Sequence, residues 1–227
     1  AFLDVTTGEF HVGEGDATVI GKYLDGHGPA ELLHARDERD PFVVSALARS
    51  YAFGLDDWAF TSDFAKERLL STFGTNSLKG FGIEDMRLAQ RAAGAILHYL
   101  SETRHDRLGH ITRIARLHAG THLGLDRFTV RNLELVAPLH EGARTLLQCM
   151  ERTSTPMGAR RLKRWLLFPL LDRAAIERRY DRVEALINGT TLRGLLKDAL
   201  SGIGDLERLT GKAAVGRIHP RELLHLG

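Results

Sequence analysis

Five acidic residues in the first half of the chain are the candidates for catalytic chemistry, because metal-dependent nucleases work through converging carboxylates. They are Asp4, on the first predicted strand, and Asp56, Asp57, Glu84 and Asp85. Acidic residues at strand ends, in loops and at helix starts more commonly cap backbone N–H groups. We therefore expect Asp4 to order a turn with Thr6 and Thr7, and we expect no catalytic site.

Glycine pairs and histidines offer two further kinds of site. A phosphate-binding loop ends in Gly-Lys followed by Ser or Thr, and the Gly-X-Gly sequences starting at Gly13, Gly26 and Gly80 do not. His118 and His122 stand four residues apart, as two metal ligands on a helix would, but Gly120-Thr121 between them argues against a helix. No Glu or Cys completes the ligand set. The sequence thus predicts neither a cofactor site nor a metal site.

The densest basic cluster is formed by Arg160, Arg161, Lys163 and Arg164. On a helix, Arg160, Lys163 and Arg164 share one face, whereas Leu162, Trp165 and Leu166 take the other. The basic face could contact DNA phosphates, or it could form ion pairs with neighbouring helices or with other domains. We favour the ion pairs, and we expect Trp165 to lie in the core.

Charge is distributed unevenly along the chain. Residues 1–105 carry 10 basic and 16 acidic side chains, whereas residues 106–227 carry 21 and 13. A basic half is typical of nucleic-acid binding and equally of Arg-rich helices in ordinary proteins. No stretch approaches the roughly 18 apolar residues of a membrane helix. The lone Cys149 excludes an internal disulfide, and the N-terminus resembles no signal peptide, so we expect a cytoplasmic protein.

The elements that must position these residues change in character near residue 107. Before it, strands alternate with helices: a hairpin at 2–6 and 9–14 and a strand at 30–34 are combined with helices at 17–24, 42–48, 61–72 and 84–103. The last of these helices is expected to bury a stripe formed by Leu88, Ala92, Ala95, Ile96, Tyr99 and Leu100. After residue 107, helix starts dominate, at Asp126, Thr155-Pro156, Asp172 and Pro220. We therefore predict an α/β domain over 1–107 and an all-α domain over 108–227.

Several stretches resemble, in order, the MutS family. In the first half they are Leu3-Asp4-Val5-Thr6-Thr7-Gly8-Glu9-Phe10, Pro29-Ala30-Glu31-Leu32-Leu33 and Phe73-Gly74-Thr75-Asn76-Ser77-Leu78-Lys79-Gly80-Phe81-Gly82. In the second half they are Arg131-Asn132-Leu133-Glu134-Leu135, Thr155-Pro156-Met157-Gly158-Ala159-Arg160 and Asp205-Leu206-Glu207-Arg208-Leu209. These matches span nearly the whole chain, although residues 36–57 match poorly.

The resemblance implies that residues 1–107 form an RNase H-like connector domain and that residues 108–227 form the N-terminal part of a helical lever domain that is truncated here. The chain would then be a non-catalytic piece of a dimeric, ATP- and Mg²⁺-dependent sensor of mismatched double-stranded DNA that recruits MutL. It would relay between DNA-binding and ATPase domains that lie elsewhere. Glu67 and Arg68 lie on the helix that resembles part of the family's MutL-docking face, but they depart from the amide side chains often found there.

Two alternatives remain open from the residues alone. An RNase H-like, metal-dependent nuclease would need carboxylates converging around Asp4. A free-standing basic nucleic-acid-binding module would need a contiguous Lys and Arg face whose binding weakens steeply with salt.

Overall fold

The computed structural model describes residues 1–48, 50–103, 108–117, 120–214 and 216–224. The chain divides into two compact units. Unit 1 comprises Ala1–His118 and Gly211–Arg217, and unit 2 comprises Ala119–Thr210 and Ile218–Gly227. The predicted boundary between residues 107 and 108 falls at a stretch outside the described residues, and it stays a prediction.

The described strands of unit 1 form two small sheets. The strands are β1 (Phe2–Leu3), β2 (Phe10–Val12), β3 (Glu31–Ala35), β4 (Tyr51–Leu55) and β5 (Ile114–Arg116). β1 pairs antiparallel with β2, which confirms the predicted hairpin, and β2 pairs in parallel with β5. β3 and β4 pair in parallel. The first half is thus of mixed α/β type, as expected.

The helices of unit 1 carry its core. They are α1 (Ala17–His27), α2 (Pro41–Leu47), α3 (Ser62–Phe73) and α4 (Arg87–Glu102), with 3₁₀ turns at Asp57–Phe60 and Lys79–Phe81. The core joins β2 and β5 to α3 and α4 through Phe10, Ile114, Leu69 and Leu97, each at most 2% exposed. Because β2 and α4 bury apolar side chains against each other, this unit has a single main core.

The buried face of α4 differs from the predicted stripe. Leu88 is 63% exposed, whereas Ala89, Ala93, Gly94 and Leu97 are buried. The stripe prediction was wrong at Leu88 because Gly94 lets α3 approach closely, and this contact sets the face that turns inward.

Unit 2 is helical, as predicted. Its described helices are α5 (Arg127–Asn132), α6 (Leu146–Met150), α7 (Pro156–Leu167), α8 (Arg173–Asn188), α9 (Thr190–Ser201) and α11 (Pro220–Leu223), while α10 (Leu206–Ala214) begins in it. The predicted caps are confirmed: Asp126 accepts from the Thr129 N–H, Thr155 from Gly158, and Asp172 from Ala174. No helix in the described parts of the chain has the length and apolar character needed to span a membrane.

Candidate functional site

Glu67 and Arg68, the predicted docking residues, lie side by side on α3 with different surroundings. The Glu67 side chain is exposed. The Arg68 guanidinium lies along α4, where Nη2 donates to the Leu97 carbonyl at 3.5 Å and Nε is buried without a hydrogen-bond partner. Glu67 is therefore open to a partner, whereas Arg68 is partly engaged by its own fold.

Beside these residues lies an aromatic patch formed by Trp58, Phe64 and His98. The Trp58 ring meets Phe64 edge-on at 4.9 Å and His98 at 4.8 Å, and Phe64 meets His98 at 5.4 Å. Trp58 is nevertheless 50% exposed. Exposed carboxylates accompany the patch in sequence at Asp57, Asp63 and Glu67. An exposed Trp supported by other aromatics is typical of a protein-binding surface.

Sequence reasoning missed this aromatic patch because its members come from three elements: the 3₁₀ turn, α3 and α4. Leu69 is fully buried and Leu70 packs against the core, but Phe64 is only partly buried and supports Trp58. The one sequence signal for the aromatic patch was that Phe64 stands one helical turn before Arg68 and so lies on the same face of α3.

Three of the five acidic candidates for metal chemistry have local structural partners. Asp4 Oδ1 accepts from the Thr6 N–H at 2.8 Å, the Thr6 hydroxyl at 2.5 Å and the Thr7 N–H at 3.2 Å, which confirms the predicted turn. Asp56 pairs with Arg36 at 3.0 Å. Glu84 accepts from the Leu78 N–H at 2.9 Å, a hydrogen bond that lowers the pKa of its carboxyl. This arrangement does not favour the nuclease alternative.

Histidine, cysteine and acidic side chains do not gather in threes within the described residues in a way that would hold a metal ion. The pair of His118 and His122 cannot be placed, because His118 lies outside the described residues.

Arg160 forms ion pairs with two acidic residues of unit 2. Its two terminal nitrogens donate to the two carboxylate oxygens of Asp205, each at 2.7 Å, and Nη2 also reaches Glu207 at 2.5 Å. The hydrogen bonds with Asp205 raise the pKa of Arg160, and the same contact lowers the pKa of Asp205. Lys163 is exposed and Arg164 is half-buried. The phosphate or interdomain contacts predicted for these three residues stay predictions.

Trp165 is not the core residue that its spacing predicted. Its side chain is 40% exposed. The Arg179 guanidinium lies 3.9 Å from the ring centroid and that of Arg161 lies 5.6 Å away. Two cations therefore contact the ring where apolar neighbours were expected, and Leu167 is the buried residue of α7.

Comparison with known proteins places both units in one family. The family model described as "MutS domain II" matches residues 1–112, and the model described as "MutS domain III" matches residues 128–227. Three curated proteins named DNA mismatch repair protein MutS align with the entire chain, from Bacteroides thetaiotaomicron at 45% identity and from Bacteroides fragilis and Porphyromonas gingivalis at 44%.

The chain belongs to the MutS family. It covers 26% of the length of the two Bacteroides proteins and 25% of the Porphyromonas protein. The aromatic patch lies in the part that matches MutS domain II, and Arg160 and Trp165 lie in the part that matches MutS domain III.

Proposed function

We propose that this chain is a non-catalytic part of a DNA mismatch-repair ATPase, in which it docks MutL and relays between the mismatch-binding and ATPase domains. The observation that carries the docking role is the exposed Trp58 within the aromatic patch, beside Glu67. Exposed aromatics held by neighbouring rings supply much of the binding energy at protein interfaces.

In this proposal, unit 1 is an RNase H-like connector and unit 2 is the truncated start of a helical lever. The hairpin of β1 and β2, followed by parallel strands and flanking helices, supports the connector assignment. The succession of helices from α5 to α11 supports the lever assignment. Packed helices transmit a rigid-body displacement more directly than loops do, which is the physical basis of the relay.

The longer protein would supply what this chain lacks. We propose that it works as a cytoplasmic homodimer, that it binds ATP and Mg²⁺ through a separate ATPase domain, and that it grips mismatched double-stranded DNA mainly through further domains. The match to MutS proteins about four times as long supports this division.

The docking role is tested by titrating the purified 227-residue chain against purified MutL by calorimetry. Trp58→Ala should weaken binding at least tenfold, because a well-supported interface Trp contributes about 2 kcal/mol or more. Glu67→Lys should weaken it as well, by reversing the charge beside the patch. Tyr180→Ala is the matched control, since Tyr180 is an exposed aromatic in unit 2.

A chain that fails to bind MutL, or one that loses affinity equally in the Trp58 and Tyr180 variants, would contradict the docking role. Magnesium-dependent cutting of DNA that disappears in Asp4→Asn would instead support the nuclease alternative.

A further inference from the structure

An arginine–tryptophan cluster, formed by Arg161, Arg164, Trp165 and Arg179, joins α7 to α8 within unit 2. Arg161 and Arg179 both lie over the Trp165 ring, at 5.6 Å and 3.9 Å. Stacking on an indole fixes the plane of a guanidinium and leaves its edge N–H groups directed outward. The Trp165 ring therefore contacts both guanidinium groups and brings their two positive charges together.

A third element brings His122 to the same cluster. Residues 121–123 run antiparallel to the segment after α7, since the Leu123 N–H donates to the Pro169 carbonyl at 2.7 Å and the Leu171 N–H to that of Thr121 at 3.1 Å. Burial lowers the pKa of His122, and the charges of Arg164 and Arg179 lower it further. The imidazole is thus within the field of both arginines.

On α7 and α8, the positions one helical turn from Arg161 and Arg179 hold no acidic residue. On their helices, the positions three and four residues away hold Met157, Gly158, Arg164 and Trp165 around Arg161, and Ala175, Ile176, Arg182 and Val183 around Arg179. Neither arginine forms an ion pair with a carboxylate in the part of the chain that the structure describes. Burial lowers the pKa of Arg179, and repulsion from Arg161 adds to this effect.

Arg160, one position earlier on α7, shows the contrasting arrangement. Its guanidinium is neutralised by Asp205 and Glu207 at 2.7 Å and 2.5 Å. Of these two neighbouring arginines on α7, Arg161 can therefore bind an anion, whereas Arg160 is already paired with carboxylates. On α8, Arg182 extends the same face by one turn and is exposed.

We propose that Arg161, Arg179 and Arg182 bind phosphate groups of the double-stranded DNA backbone. Guanidinium groups match phosphate geometry and make paired, charge-assisted hydrogen bonds to it. A row of cations over two exposed helix faces fits a repeating polyanion better than it fits one compact phosphate group. The site would add a backbone contact within this chain to those made by the longer protein elsewhere, and it does not depend on MutL docking.

The test measures binding of the 227-residue chain to a short DNA duplex between about 50 and 200 mM salt. Arg161→Gln/Arg179→Gln should lower the affinity about tenfold. It should also flatten the dependence of log K on log salt by about 2, because each lost phosphate contact removes about 0.9 from the slope. The matched control is Arg178→Gln/Arg193→Gln, which removes two charges from exposed positions of α8 and α9.

A control that loses as much affinity and slope as the test pair would overturn the proposal, because binding would then follow net charge alone. An unchanged slope in the test pair, or duplex binding too weak to measure, would overturn it as well. In a third arm, inorganic triphosphate competes with the duplex. Triphosphate adds to the ionic strength and weakens duplex binding for that reason alone. If it displaces the duplex at concentrations far too low for this effect, the site belongs to a free polyphosphate instead. Thermal unfolding of each variant checks that the fold is retained.

Discussion

Gly94 on α4 lies directly against Ala65 on α3: a Cβ built on Gly94 would come within 2.6 Å of both the Cα and the Cβ of Ala65. Gly94→Ala should therefore lower the free energy of unfolding by about 1–2 kcal/mol, since overpacking outweighs the gain in helix propensity. The measurement is urea unfolding followed by circular dichroism.

Gly194 on α9 provides the control for that substitution, because a Cβ there meets no atom within 4 Å. Gly194→Ala should raise the free energy of unfolding by about 0.5–1 kcal/mol. A Gly94→Ala variant as stable as the unmodified chain would show that α3 and α4 can move apart at little cost.

The Arg160–Asp205 pair should stabilise unit 2 in a pH-dependent way. The pKa of Asp205 is lower in the folded chain than in the unfolded one, so the contribution is complete above about pH 4 and is lost as the pH falls from there through the lowered pKa. At pH 7, Asp205→Asn should lower the free energy of unfolding by about 1–2 kcal/mol, because the pair is bidentate but not fully buried.

The stability difference between the unmodified chain and Asp205→Asn should shrink as the pH is lowered below about 4. Asp198→Asn, at an exposed position of α9, should have little effect at any pH. A difference that persists unchanged at low pH would mean that Asp205 acts through packing and not through its charge.

Tyr99 should ionise well above the ordinary pKa of a tyrosine. Its hydroxyl donates to Glu31 at 2.6 Å, and this hydrogen bond, with burial and the nearby charge of Glu31, raises the pKa of Tyr99 to about 12. The contribution to stability is complete below the unfolded pKa of about 10 and is lost as the pH rises from 10 to 12. Tyrosinate absorbance against pH measures it, and Tyr99→Phe should remove the transition near pH 12.

Two further variants separate the causes of that transition. Glu31→Gln should move it to lower pH, because both the acceptor charge and its repulsion of tyrosinate are removed. Tyr180→Phe, at a position 68% exposed in unit 2, should leave it in place. A late transition unaffected by Glu31→Gln would rule out the hydrogen bond as its origin.

Asp4 should act as a turn residue. Asp4→Ala removes three hydrogen-bond acceptor contacts to Thr6 and Thr7 and should lower the free energy of unfolding by about 1 kcal/mol. Thermal unfolding with and without Mg²⁺ measures it, and the loss should be the same in both. A loss seen only with Mg²⁺ would indicate that the carboxylate binds the metal.

Local chemistry made much of this fold predictable from the sequence. The caps at Asp126, Thr155 and Asp172 were predictable because a capping side chain satisfies N–H groups two or three residues ahead, which needs no knowledge of distant residues. The Asp4 turn was predictable for the same reason. The β1–β2 hairpin, β3 and the helices of unit 1 followed from hydrophobic periodicity, whereas β4 was not predicted and β5 lies in the part predicted to be all-α.

Structural features that depend on tertiary contacts were not predicted from the sequence. Leu88 and Trp165 both follow apolar helix spacing, yet close packing at Gly94 turns Leu88 outward, and Arg179 covers the Trp165 ring. The aromatic patch was missed because Trp58, Phe64 and His98 meet only after three elements have packed. A single sequence gives no indication of such tertiary contacts beyond the types of the residues.

The pairing of Phe10 with Ile114 has a consequence for how unit 1 forms. These partners are roughly a hundred residues apart along the chain, so the parallel edge of the sheet closes a very long loop. Contacts of such wide separation slow folding, whereas the β1–β2 hairpin and the α3–α4 pair join near neighbours and can form early. During synthesis the ribosome must release β5 before the sheet can be completed, which leaves one side of β2 exposed as an unpaired edge until then.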